Sequence, residues 1–195
     1  MFRVLASAAA LCCVAPIASY AAGPGMPAGP YIGMTAGVGS SNFIDPIYDW
    51  YGGTAGGLVV GGLAGYNFHW GPAILGLEAD ANWNSARSPS QWDSTYFLDW
   101  DASLRARVGF DTGGITPFVT GGVAIGAPRN VDSSSTWAQT PLGWTAGIGA
   151  EMGLGDRVTA RVEYRHIDFG TKNYGYDIKP TKDSLQFGLV YRLGN

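Results

Sequence analysis

From Tyr31 onward, apolar side chains recur at every second position, the repeat of strands whose two faces meet different surroundings. Eight segments carry this repeat: Tyr31–Gly39, Leu58–Phe68, Ala73–Trp83, Phe97–Phe110, Ile115–Gly126, Leu142–Leu154, Val158–Phe169 and Ser184–Leu193. In Ala73–Trp83, Leu75, Leu77, Ala79, Ala81 and Trp83 alternate with Ile74, Gly76, Glu78, Asp80 and Asn82. Phe97–Phe110 reads as one unbroken alternation, with Leu98, Trp100, Ala102, Leu104, Ala106, Val108 and Phe110 opposite Asp99, Asp101, Ser103, Arg105, Arg107 and Gly109. In Ile115–Gly126 the faces differ less, and Val119, Val123 and Ile125 are assigned outward. No segment shows a helical repeat.

The connections alternate strictly between long and short. Ser40–Gly57, Asn84–Tyr96, Ala127–Pro141 and Gly170–Asp183 are long; His69–Pro72, Asp111–Gly114 and Gly155–Arg157 are short. An even number of strands of about ten residues, with long connections at one end and tight turns at the other, is the pattern of an outer-membrane β-barrel. A soluble sandwich or lipocalin-like barrel has the same alternation with the faces reversed. Two features favour the membrane. Aromatics on the apolar face fall near strand ends, with Phe68, Phe110 and Tyr191 toward the short turns and Trp83, Trp100 and Trp144 toward the long connections, as interfacial girdles do. The polar face opposes Glu78, Asp80, Asp99, Asp101, Glu151 and Glu163 to Arg105, Arg107, Arg161, Arg165 and Arg192. It omits lysine, which a solvated surface would use freely, and the forked guanidinium suits packed ion-pair networks. The expected fold is all-β, an eight-stranded antiparallel up-and-down transmembrane barrel.

Composition agrees with that picture. Of 195 residues, 30 are Gly and 14% are charged, against averages of about 7% Gly and 25% charged. A net charge of −3 with no basic stripe argues against nucleic-acid binding. No run of about 20 apolar residues in the body of the chain offers a membrane-spanning helix. At the N-terminus, Met1 to Arg3, the apolar run Val4 to Ile17 and Ser19-Tyr20-Ala21 read as a secretory signal peptide cleaved after Ala21. That leaves residues 22–195 as the barrel domain, with nothing over for a second domain. Both cysteines, Cys12 and Cys13, fall inside the signal, so disulfides play no part.

The stretches GLEADANW (Gly76–Trp83), DWDASLRARVGF (Asp99–Phe110), TPFVTGGVAIG (Thr116–Gly126) and ARVEYRHIDFG (Ala160–Gly170) resemble segments of the OmpA-like, opacity-type family of small outer-membrane β-barrels. That family includes the small immunogenic outer-membrane proteins of alphaproteobacteria. The resemblance implies residence in the outer membrane of a Gram-negative bacterium, both termini in the periplasm and four surface loops. Gln186, Gly188, Tyr191 and Leu193 resemble the last-strand signal read by the barrel-assembly machinery, although Leu193 stands where the family ends in Phe. The expectation is a monomer without a cofactor or a metal.

Eight strands enclose room for side chains only, so the expected function is that of a scaffold, with at most a small ion leak. It would serve membrane integrity and surface contacts with lipids, lipopolysaccharide or host-surface molecules. Candidate contacts are Phe43, Tyr48, Trp50 and Tyr51 in the first long connection and Lys172 and Lys179, with Lys182 nearby, in the last. The alternatives are a lipid A-modifying enzyme and a soluble periplasmic ligand carrier. For the enzyme, a serine two residues after a histidine would be the nucleophile, but His166 is followed by Asp168, so His166 reads as a polar rim residue. Glu78 and Asp80 could hold a cation, yet the neighbouring arginines favour ion pairs. The two histidines, His69 and His166, should lie at opposite ends.

Overall fold

The computed structural model describes residues 28–45, 50–89, 95–131, 136–138, 140–173 and 177–193. The segment expected to be a signal peptide, both cysteines and Tyr48 lie outside them. Eight long strands form one closed antiparallel barrel: β1 (Gly29–Asp45), β2 (Trp50–Trp70), β3 (Ala73–Asn84), β4 (Thr95–Phe110), β5 (Ile115–Val131), β6 (Leu142–Gly153), β7 (Val158–Asp168) and β8 (Asp177–Arg192). Each strand pairs with its sequence neighbours, and β1 also pairs with β8 from Tyr31↔Arg192 to Ile44↔Lys179, which closes the ring. Closure leaves no open edge along the ring of eight strands, the condition a β structure must meet in hydrocarbon, where exposed backbone groups find no partner.

The alternation decides which face is wet. Leu104 and Phe187 are 58% and 61% exposed on the outer wall, whereas Glu78 and Arg105 are each 1% exposed inside. A soluble barrel requires the reverse, so the faces are those of a membrane barrel. Val119, Val123 and Ile125 point outward, as read from the sequence. All six girdle aromatics are on the outer face, and Trp83 stands directly opposite Trp100 across β3–β4.

The tight turns have local causes. Gly71, at φ 60°, opens the two-residue turn between β2 and β3. In the next turn the Asp111 side chain accepts the Gly113 amide at 2.8 Å, and Gly113 takes φ 86°. An Asx bond followed by a left-handed glycine is a turn that needs no tertiary support.

Two expectations need correction. First, much of the long connections is strand. β1 continues to Asp45 and β2 starts at Trp50, paired through a bulge at Asn42/Ile44. β2 therefore has 21 residues, about twice what a tilted strand needs to cross the bilayer. Short segments Arg87–Pro89, Thr136–Ala138 and Lys172–Asn173 pair back onto β4, β5 and β8. Pairing with a neighbouring strand outweighs the weak strand preference of Asn42, Gly56 and Gly57. Second, the alternation of Phe97–Phe110 is broken by a register shift between Leu98 and Asp101. Both of those residues are buried, at 2% and 0% exposure. A bulge adds one residue and reverses the faces beyond it; Leu98 therefore points inward, not outward.

Candidate functional site

The barrel interior holds three layers. Toward the short turns, Tyr31, Leu63, Ile74 and Val190 form an apolar cluster. Toward the long hairpins, Leu98, Ala124, Ile167 and Phe169 form a second. Between them lies a layer of paired charges.

Arg105 is the junction of that layer, its guanidinium contacting Glu78, Glu163 and, at 3.1 Å, Asp80. Arg161 donates to both oxygens of Glu78, one at 3.0 Å, and to Glu163 at 2.9 Å. The Tyr31 hydroxyl, at the edge of the lower apolar cluster, donates to Glu78 at 3.0 Å. Arg107 pairs with Glu151. The Phe118 ring lies between two guanidiniums, 4.1 Å from Arg107 and 4.7 Å from Arg161. Nearer the hairpins, Arg165 meets Asp80 at 2.6 Å and Asp101 at 3.4 Å. Asp101 also accepts from Asn82 at 3.1 Å, from Asn84 at 2.8 Å and from the Lys182 ammonium.

Glu78, Asp80, Asp101, Arg105, Arg107, Glu151, Arg161, Glu163 and Arg165 are thus brought together, but two residues assigned to this set are not. Asp99 is displaced by the bulge and pairs with Arg129 at the rim, at 3.1 Å and 44% side-chain exposure. Arg192 lies at the opposite end, where it donates to the Asp156 carbonyl of the last tight turn at 3.0 Å. In their place stands Lys182, 1% exposed and paired with Asp101. The sequence places Lys182 in the last long connection, beside a strand that begins at Ser184, whereas the structure starts β8 at Asp177 and turns the Lys182 side chain inward. Glu78, Asp80, Asp101, Glu151 and Glu163 balance Arg105, Arg107, Arg161, Arg165 and Lys182 one for one. Among the described residues no group of side chains is arranged to hold a metal.

The inner glycines have a specific use. Tyr31 stands opposite Gly65, and Phe118 opposite Gly149, across adjacent strands. A Cβ at either glycine would overlap the facing ring. Gly149→Val should therefore cost about 1–3 kcal/mol, read as an earlier midpoint in urea unfolding. Gly121→Val should change stability by less than about 0.5 kcal/mol, because Gly121 faces outward with its nearest neighbour 4.0 Å away. Equal costs at the two sites would contradict this packing.

The proposed surface contacts are less exposed to choice than loop residues. Phe43 lies on β1 opposite Pro180, and Trp50 and Tyr51 lie on β2 opposite Asp45 and Ile44. Lys172 pairs with Ile178 in the last hairpin, and Lys179 is tied to Asp168 at 2.9 Å. Of the assembly-signal residues, Gln186 points inward and donates to Ser184 at 3.3 Å, Gly188 lies between Thr35 and Arg161, and Tyr191 and Leu193 face outward. His69 lies near the short turns, and His166 near the long hairpins on the outer wall.

Comparison with known proteins agrees with this architecture. The family model of the outer membrane protein beta-barrel domain matches residues 4–192. The 25 kDa outer-membrane immunogenic protein of Brucella melitensis is 35% identical over 140 residues, covering 68% of this chain and 64% of that protein. The 22 kDa outer membrane protein of Rhizobium leguminosarum is 33% identical over 155 residues, covering 79% and 72%. The match thus spans somewhat under two thirds of the length of the 25 kDa Brucella relatives. Among solved structures, Neisserial surface protein A superposes with a TM-score of 0.58 at 16% identity, covering 83% of this chain and 97% of that one. Ail of Yersinia pestis gives 0.50 at 14% identity, covering 85% and 100%. With its charges inside, its apolar wall outside and these relatives, the chain belongs to the outer membrane protein β-barrel domain family and resides in the outer membrane.

Proposed function

We propose that this protein is a closed scaffold. It strengthens the outer membrane and presents its long hairpins to the outside, where they contact envelope or host-surface molecules. The observation that carries this reading is the packed interior: among the described residues, a neutral layer of paired charges stands between two apolar clusters across the barrel. The length of β1 and β2 supports the second half, since their paired ends project well past the tryptophan girdle.

Any conductance then requires the ion-pair layer to rearrange. Reconstituted in planar bilayers, the protein should give no stable openings on the nanosiemens scale, and regular openings of that size would defeat the scaffold reading. Shortening the four long hairpins one at a time should reduce cell adhesion while leaving detergent sensitivity of the envelope unchanged. Loss of the whole barrel should raise that sensitivity. Tyr191 and Leu193, facing outward at the end of β8, suit recognition by the assembly machinery, with Gln186 and Gly188 completing the signal. The mature protein, a monomer with no cofactor, begins at Ala22; N-terminal sequencing of the membrane-extracted protein checks this.

A further inference from the structure

Leu98, Ala124, Ile167 and Phe169 close the lumen at the hairpin end, each no more than 2% exposed. The first three lie within β4, β5 and β7 and are held by strand pairing. Phe169 is held otherwise. It stands one residue beyond β7, and pairing with β6 stops before it, at Trp144↔Asp168. Its N–H donates to the Pro180 carbonyl at 3.1 Å, but Pro180 has no N–H to return the second bond of a ladder pair. The residue nonetheless seats closely. A Cβ at Gly126 would come within 2.7 Å of the Phe169 ring, and one at Gly143 within 2.7 Å of its Cα.

What fixes Phe169 is the side chain before it. One Asp168 oxygen accepts the Gly170 amide at 2.8 Å, turning the chain at Gly170, whose φ is 68°. The other meets the Lys179 ammonium at 2.9 Å, which ties the turn to β8. This pair differs from those of the interior: the Lys179 side chain is 42% exposed, so salt reaches it and screens it. Just below, Ile167 stands opposite Lys182 across β7 and β8, and the Lys182 ammonium is bound to Asp101 at the top of the charged layer.

We propose that Phe169 is a lid on the charged layer and that Asp168 and Lys179 are its latch. When the pair parts, the turn at Gly170 relaxes, the ring leaves its seat, and water reaches Lys182 and Asp101 while the eight strands stay paired. The opening is local, with a free energy below that of unfolding the barrel as a whole.

The test uses residues 22–195 refolded in detergent, a chain without cysteine. A single thiol is placed beneath the lid by Ser184→Cys, at a site 3% exposed on β8, or near the short turns by Thr159→Cys, at a site 7% exposed. Alkylation by iodoacetamide, a neutral reagent, reads the opening. Phe169→Ala should speed alkylation at position 184 about tenfold or more, and Phe169→Leu much less. Lys179→Ala should speed it about two- to fivefold, the range of an exposed ion pair. Raising salt from about 0.01 M to about 1 M should act similarly on the chain with an intact latch and leave Lys179→Ala unchanged. Alkylation at position 159 should stay constant throughout. An unchanged rate at position 184 in Phe169→Ala, equal acceleration at both positions, or a salt response that survives Lys179→Ala overturns the proposal. The salt series needs no substitution at the lid, so it decides the matter even where Phe169→Ala does not fold.

Discussion

Arg105→Ala is expected to lower the unfolding free energy of the barrel by about 3–5 kcal/mol, the cost of leaving an uncompensated charge in the buried layer. Arg105 touches Glu78, Asp80 and Glu163 at once, so its loss leaves the layer with one excess negative charge, spread over three carboxylates that then share only Arg161 and Arg165. Urea unfolding of the refolded protein in lipid vesicles, followed by tryptophan fluorescence, measures the change. Arg105→Lys keeps the charge but not the fork that spans several acceptors, and most of the loss should remain. Adding Glu163→Gln to Arg105→Ala should restore part of the stability, because the charges of the layer then balance again. A loss below about 1 kcal/mol for Arg105→Ala would place it among ordinary surface pairs and refute the junction role.

One residue earlier the rule inverts. Leu104 points outward at mid-strand, opposite Ala79 and Val123, and Leu104→Arg should cost about 2–4 kcal/mol, the penalty for a cation at the midplane of the bilayer. The same substitution at Leu142, the first residue of β6 at the hairpin end, should cost no more than about 1 kcal/mol, since the penalty fades toward the interface. The same unfolding assay gives both numbers. Equal costs at the two positions would mean that depth in the bilayer does not set them. The pair Leu104 and Arg105 thus compresses the whole design into two neighbouring residues, each intolerable in the place of the other.

Strands were legible wherever alternation was set by the membrane on one side and charge on the other. Ala73–Asn84 and Leu142–Gly153 are read almost to the residue, because a one-residue slip would turn every side chain to the wrong face. The bulge at Leu98 was invisible for the opposite reason. Trp100 still follows Leu98 by two, and only pairing with β5 reveals the extra residue between them. That hidden residue moved Asp99 out of the interior and brought Leu98 in. Lys182 was missed because lysine in a segment next to a loop reads as solvated, although a long stem lets its ammonium reach Asp101 from β8. The extension of β1 and β2 was illegible because glycine, serine and asparagine there give no apolar–polar alternation to read, although Ser41 and Ala55 face each other there and are buried.

The paired charges also bear on how the ring comes to be closed. Glu78 and Arg105 stand directly opposite each other on β3 and β4, so one hairpin can neutralise that pair by itself. Glu78 with Arg161, Asp80 with Arg165, Arg107 with Glu151 and Asp101 with Lys182 instead join β3 and β4 to β6, β7 and β8 across the lumen. An open sheet cannot make these four contacts. They form together when β1 meets β8, which concentrates the electrostatic gain of the layer in the closing of the ring.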